Sequence, residues 1–145
     1  MIPYGRGKSQ SISIAENIAR VNEIYAAGVK ELVITGVHIG DYIDGEGEAQ
    51  KGLEDLVEQI LLQTEMPRIR LSSLEPIELT SRLLECYKNP RMCPHFHMSI
   101  QSAQTRVLGA MKRNYGADEV EFALNEIYSK IDNAFVRLCF FSVTK

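Results

Sequence analysis

Apolar residues recur along this chain at two alternating spacings. Ile14, Ile18, Val21 and Tyr25 repeat every three to four residues, which puts them on one helical face. Ser13 and Glu16 fit a capping box that opens this helix, and Gly28 fits the position after its last turn. ELVIT (31–35), short and β-branched, predicts a strand. Leu53, Leu56, Val57, Ile60 and Leu61 form a second helical stripe, stopped by Pro67. RIRLSS (68–73) alternates like a strand, and Thr80 can cap a third helix, LLECY (83–87), that ends before Pro90. HFHMSIQ (95–101) predicts another strand and TRVLGAMKR (105–113) a short helix. Val120, Leu124, Ile127 and Ile131 mark a longer helix, and AFVRLCFF (134–141) a last strand.

Helices alternating with strands imply an α/β fold with parallel pairing and right-handed crossovers. The 145 residues suffice for one domain with a core, and no repeat, low-complexity stretch or boundary divides them. A formal net charge of -3 argues against a wholly basic nucleic-acid binder. The pairs Arg6/Lys8 and Lys112/Arg113 read as solvated surface or as phosphate contacts. No apolar run reaches membrane-spanning length and no signal-peptide pattern opens the chain, so no membrane partner and a cytoplasmic location are the expectation. Cys86, Cys93 and Cys139 are odd in number and form no C-x-x-C, which argues against structural zinc or a disulfide framework.

Chemistry collects just past the strand ends. GVHIGDY follows ELVIT, LEP follows RIRLSS, and SAQ follows HFHMSIQ. In parallel α/β sheets and barrels that edge binds ligands. A G-x-x-x-x-G-K-[ST] loop is absent, and PYGRGKS follows no strand, so neither nucleotide fingerprint applies. The residues alone give a parallel α/β ligand-binding domain, with a flavodoxin-like open sheet still an alternative.

Four collinear motifs go further. IPYGRGKSQS (2–11), ITGVHIGDY (34–42), RIRLSSLEP (68–76) and CPHFHMSIQSAQ (93–104), with Leu108, Met111, Arg113 and Tyr115 in step, resemble the radical-SAM methylthiotransferases that modify tRNA. The branch resembled acts on threonylcarbamoyladenosine, and the likeness covers about residues 2 to 136. It implies a partial (β/α) barrel of the radical-SAM type, with about four parallel strands and helices outside. It implies transfer of a methylthio group to C2 of N6-threonylcarbamoyladenosine in tRNA, with S-adenosylmethionine and two [4Fe–4S] clusters as cofactors. In the family, IPYGRG directly follows the C-x-x-x-C-x-x-C loop that holds one cluster. That loop is not in this sequence, nor are the family's N-terminal cluster domain and C-terminal RNA-binding domain. The expectation is therefore a fragment inactive by itself, with no catalytic residue and no metal ligand of its own. A non-catalytic nucleotide- or RNA-binding module is the alternative. The sequence departs from the family at Gln10, Ile12, Ala103 and Gln104, and in the tail RLCFFSVTK.

By the resemblance, Thr35, Gly36 and His38 lie near the methionine part of the cofactor. Ser72 and Ser73 reach its carboxylate or ribose, Gln101 and Ser102 contact cofactor or substrate, and Arg113 pairs with the cofactor carboxylate. Tyr4 and Arg6 stack on and pair with tRNA. His95 and His97 share one strand face as packed lining, and Glu75 and Pro76 shape a turn. An unclosed set of strands leaves edges at ELVIT and AFVRLCFF and an inner face carrying Ile34 and Leu71, from which self-association is expected.

Overall fold

The structure, a computed structural model, describes residues 10–36 and 38–140. Helix α1 (Ile14–Ala26) starts at Ser13, whose hydroxyl accepts a hydrogen bond from Glu16 N at 3.2 Å. The reciprocal half of the expected capping box is replaced: the Glu16 carboxylate pairs with Arg20 one turn on, at 2.6 Å. Asp44, 30 residues away, instead accepts from Ile14 N at 2.9 Å and satisfies another orphan donor. Gly28 ends the helix with φ +94°, the left-handed geometry that lets Val29 N return to Ile24 O.

The remaining elements follow the predicted order. They are β1 (Leu32–Ile34), α2 (Leu53–Gln63), β2 (Ile69–Leu71), α3 (Ser81–Cys86), β3 (His95–Gln101), α4 (Thr105–Ala110), α5 (Ala117–Lys130) and β4 (Phe135–Phe140). Thr80 caps α3 as expected, accepting from Leu83 N at 3.1 Å. Single 3₁₀ turns, Ile39–Asp41 and Pro76–Glu78, follow β1 and β2.

Both pairings between the described strands are parallel. Strand β1 pairs with β2 in the register Leu32–Ile69, and β3 with β4 in the register His95–Phe135. Isolated parallel bridges, Ile69–Met92 and Leu74–Met98, link the two pairs. The described strands thus form a mixed α/β arrangement of four parallel strands that does not close into a barrel.

Alternation decides what each face carries. Ile69, Leu71, Phe96, Met98 and Ile100 are at most 1% exposed and form the core with Leu56, Val57 and Ile60 of α2 and Val120, Ala123 and Ile127 of α5. Tyr87 stacks on Phe96 with ring centroids 4.4 Å apart. The opposite face carries Val33, Arg70, His95, His97, Phe135 and Arg137. This corrects the expectation for Ile34 and Leu71. Leu71 is wholly buried and Ile34 packs against the same cluster, while Val33 and Arg70 turn away. Burying two apolar side chains of β2 against helices outweighs any placement that would sink Arg70 there.

Two long-range arginines tie the layers. Arg82 of α3 reaches Asp55 and Glu58 of α2 at 2.7 and 2.6 Å. Arg91, just before β3, donates to the carbonyls of Leu61, Thr64 and Met66 and so satisfies the C-terminal end of α2.

Candidate functional site

The ends of the parallel strands carry two separate side-chain clusters. The first surrounds Glu75, in the loop after β2. Its Oε1 accepts a short hydrogen bond from Arg113 Nη1, and His38 Nδ1 lies 3.8 Å from the same oxygen. Glu75 is 12% exposed and Arg113 25%, so the ion pair is shielded from solvent more than a surface pair. Glu78 stands beside it, with one carboxylate oxygen accepting from Gly40 N at 3.1 Å and the other from Glu75 N at 2.7 Å. Burial, reinforced by the Glu75 charge, pushes the Glu78 carboxyl above its usual range. Gly40 is required for this approach: a Cβ there would fall 2.4 Å from Glu78 Oε1. A groove of about 480 Å³ opens here, lined by His38, Asp41, Glu54, Glu75, Glu78 and Asn114 among others.

The second cluster crosses three strands. Ser72 Oγ lies 3.2 Å from His97 Nδ1, and His97 Nε2 lies 3.0 Å from Cys139 Sγ. Ser73 Oγ is 3.5 Å from Ser72 Oγ. Ser73 has φ +66°, a left-handed conformation that is uncommon for a non-glycine residue.

Gln101 ends β3 in the same conformation, φ +60°, at an irregularity in the β3–β4 register between Met98 and Gln101. It is 8% exposed, and its carboxamide oxygen is buried with no hydrogen-bond partner among the described residues. A buried acceptor without a donor calls for an explanation, because its desolvation is uncompensated.

The structure therefore divides the sequence-predicted residues. His38 and Arg113 meet through Glu75, so Arg113 is already paired where a cofactor carboxylate was expected. Ser72 is held by His97, and Ser102 accepts from Gln104 N at 3.1 Å within its own turn. Thr35 and Gly36 are exposed past the end of β1. Tyr4 and Arg6 lie outside the described residues. His95 stacks on Phe135 at 5.3 Å, which fits the packed lining expected of it; His97 does more than line. Glu75, expected only to shape a turn, is the centre of the first cluster. Its partners are 37 and 38 residues away, and an acid directly after a strand-end SSL was the one signal available.

Cluster ligands were tested against the cysteines present. Cys86 is buried on α3, where burial pushes its thiol up to about 11, and its Sγ donates to Arg82 O. Cys93 is buried before β3, and Cys139 faces His97. Among the described residues the one group of three close donors is His38, Glu75 and Glu78, with no cysteine in it. Three thiolates do not converge, so an iron–sulfur cluster does not fit on these residues. Among the described residues no helix is long and apolar enough to cross a membrane.

No family model matches the chain. It is similar to the threonylcarbamoyladenosine tRNA methylthiotransferase MtaB of Treponema pallidum (strain Nichols), 35% identical over 135 residues, which is 93% of this chain and 27% of that protein. The protein of the same name from Rickettsia prowazekii (strain Madrid E) is 38% identical over 125 residues, 84% of this chain and 30% of that protein. The tRNA-2-methylthio-N(6)-dimethylallyladenosine synthase of Thiobacillus denitrificans is 36% identical over 119 residues, 79% of this chain and 26% of that protein. The chain spans between a quarter and a third of the length of these curated relatives. Their names match the family that the four motifs resemble.

Proposed function

We propose that this chain, a homologue of one segment of the tRNA methylthiotransferases, is the part of a radical-SAM barrel that presents the cofactor-facing ends of parallel strands. The activity in which it takes part is methylthio transfer to C2 of N6-threonylcarbamoyladenosine in tRNA, in the cytoplasm. S-adenosylmethionine, when bound, supplies the radical chemistry that such a reaction needs. The residues here bind and orient. The cysteines present do not gather around one cluster, and the chain alone is inactive in this reading.

The observation that carries the reading is Gln101. Its buried carbonyl oxygen, without a partner among the described residues, sits at a strand end in a strained conformation and accepts from a donor such as a ribose hydroxyl or an amine. Thr35 and Gly36 at the end of β1 leave room for the methionine moiety, and Ser73 and Ser102 offer hydroxyls from the neighbouring strand ends. His38, through Glu75 and Arg113, fixes the loop beside them. Tyr4 and Arg6 contact tRNA in this reading. The exposed Phe135 and Phe140 on β4, 61% and 58% accessible, support self-association.

The test is binding of S-adenosylmethionine by saturation-transfer NMR. Contacts from a few strand-end groups give a Kd of about 1 mM, or roughly -4 kcal/mol. Gln101→Ala abolishes the signal. Equal binding by that variant, or none by the parent chain, removes this reading.

A further inference from the structure

We infer that Cys139 is a nucleophilic thiol, activated by His97 and oriented through Ser72, and that it is a site of thiol–disulfide exchange with small disulfides. The geometry is that of a nucleophile, a base and a third group that holds the base. Cys139 Sγ is 3.0 Å from His97 Nε2, and His97 Nδ1 is 3.2 Å from Ser72 Oγ. The three residues come from β4, β3 and the end of β2, whose parallel pairing fixes their spacing. Cys139 lies two residues beyond Arg137, the register partner of His97, so the thiol is the imidazole's diagonal neighbour on one face.

The other two thiols lack this setting. Cys86 and Cys93 are 7% and 6% exposed, and Cys86 donates to a helix carbonyl rather than to a base. Cys139 is half-buried, open enough for a small reagent.

The step balances as written. Cys139 Sγ passes its proton to His97 Nε2, and the imidazolium then donates from Nδ1 to Ser72 Oγ. The thiolate attacks one sulfur of a small disulfide. The new bond joins Cys139 to that sulfur, the old S–S bond breaks, and the departing thiolate takes the proton back from His97. The disulfide is the oxidant, and no other reagent enters. This inference does not depend on the methylthiotransferase reading, since it needs neither cofactor nor RNA.

The probe is an aromatic disulfide, dithiobis(nitrobenzoate), with oxidised glutathione as the physiological counterpart. The 145-residue chain is mixed with the probe at neutral pH, and release of thionitrobenzoate is followed with time. One thiol reacts fast, and Cys139→Ser removes that phase. With the base held at the sulfur, the expected gain over the same thiol in concentrated urea, where His97 no longer sits beside it, is about five- to tenfold. His97→Gln loses that gain while Cys86 and Cys93 stay protected, which shows that the fold persists. Ser72→Ala slows the phase less. A native Cys139 that reacts no faster than in urea overturns the inference without recourse to any variant. So does a His97→Gln chain that keeps both the fast phase and the protection of the other two thiols. Mass spectrometry after oxidised glutathione places the adduct on Cys139 if the inference holds, and finds none there if it fails.

Discussion

Replacing Gln101 separates the two costs that this residue imposes on the fold. Its φ of +60° belongs to the left-handed region, where a side chain costs about 1–2 kcal/mol relative to the right-handed form. Its buried carboxamide oxygen, without a donor, costs about 1–3 kcal/mol more. Against this, the one methylene beyond Cβ contributes about 0.8 kcal/mol. Gln101→Ala removes the orphan acceptor and that methylene but keeps the conformation, so stability stays level with the parent or rises by up to about 2 kcal/mol. Gln101→Gly also removes the strain. Glycine gives back about 0.5–1 kcal/mol through its freer unfolded chain, leaving it more stable than Gln101→Ala by about 0.5–1 kcal/mol. Urea unfolding followed by circular dichroism measures both variants against the parent. The expected order is Gln101→Gly above Gln101→Ala, with both losing S-adenosylmethionine binding. A Gln101→Gly chain less stable than Gln101→Ala would refute the conformational argument. A Gln101→Ala chain destabilised by several kcal/mol would mean that the carboxamide is satisfied in solution. If Gln101 binds the cofactor as proposed, a residue that weakens its own fold is what a preorganised site predicts.

Three further outcomes follow from packing and charge. Arg91→Ala strips the carbonyls of Leu61, Thr64 and Met66 of their donor and lowers stability by about 2–3 kcal/mol; Arg91→Lys recovers only part of this, because an ammonium lacks the fork. Urea midpoints for the two variants check it, and equal midpoints would show that one charge suffices. Glu78 has its folded carboxyl raised above 4.5, chiefly by burial, so the folded state binds this proton more readily than the unfolded chain. Its stabilising contribution is present below about 4.5 and is lost as pH rises through the folded value, so the stability of the parent relative to Glu78→Gln declines from about pH 4.5 toward neutrality. A relative stability that instead climbs across that window would mean that the hydrogen bonds from Gly40 and Glu75 outweigh burial. Sedimentation at about 10 micromolar tests association through β4: a sheet edge bearing Phe135 and Phe140 gives a dimer or larger species, and Phe135→Lys shifts it toward monomer. A clean monomer for the parent chain removes the edge argument.

Much of the fold was legible because its signals are local. The stripe from Ile14 to Tyr25, the hydroxyls of Ser13 and Thr80, and Gly28 each act within one or two helical turns, and each does in the structure what the sequence implied. HFHMSIQ became a strand with those same seven residues. The facing of β2 was also written in the alternation of RIRL, with arginines on one side and Ile69 and Leu71 on the other. The expectation placed Leu71 on the inner face of a partial barrel, where apolar residues would line the wall. Without a closed barrel, the helices take the apolar set and the arginines turn to the open face.

The site was less legible for a physical reason. Its chemistry depends on which strand ends lie side by side, and that is set by register. Arg113 and Glu75 are 38 residues apart, Ser72 and His97 are 25 apart, and His97 and Cys139 are 42 apart. No periodicity connects such pairs. Motif resemblance found the strand ends, because a strand end is a local event, but it gave no sign of the protein partners that Ser72 and Arg113 have in the structure. Those partners change what the residues can do. An arginine held by Glu75 beside His38 shapes a loop, and a serine held by His97 orients a base. The strand-end residue left with an unmet demand is Gln101, in a backbone conformation that its side chain disfavours. A position that violates both local preference and polar satisfaction is what the proposed cofactor contact at Gln101 would leave in the fold.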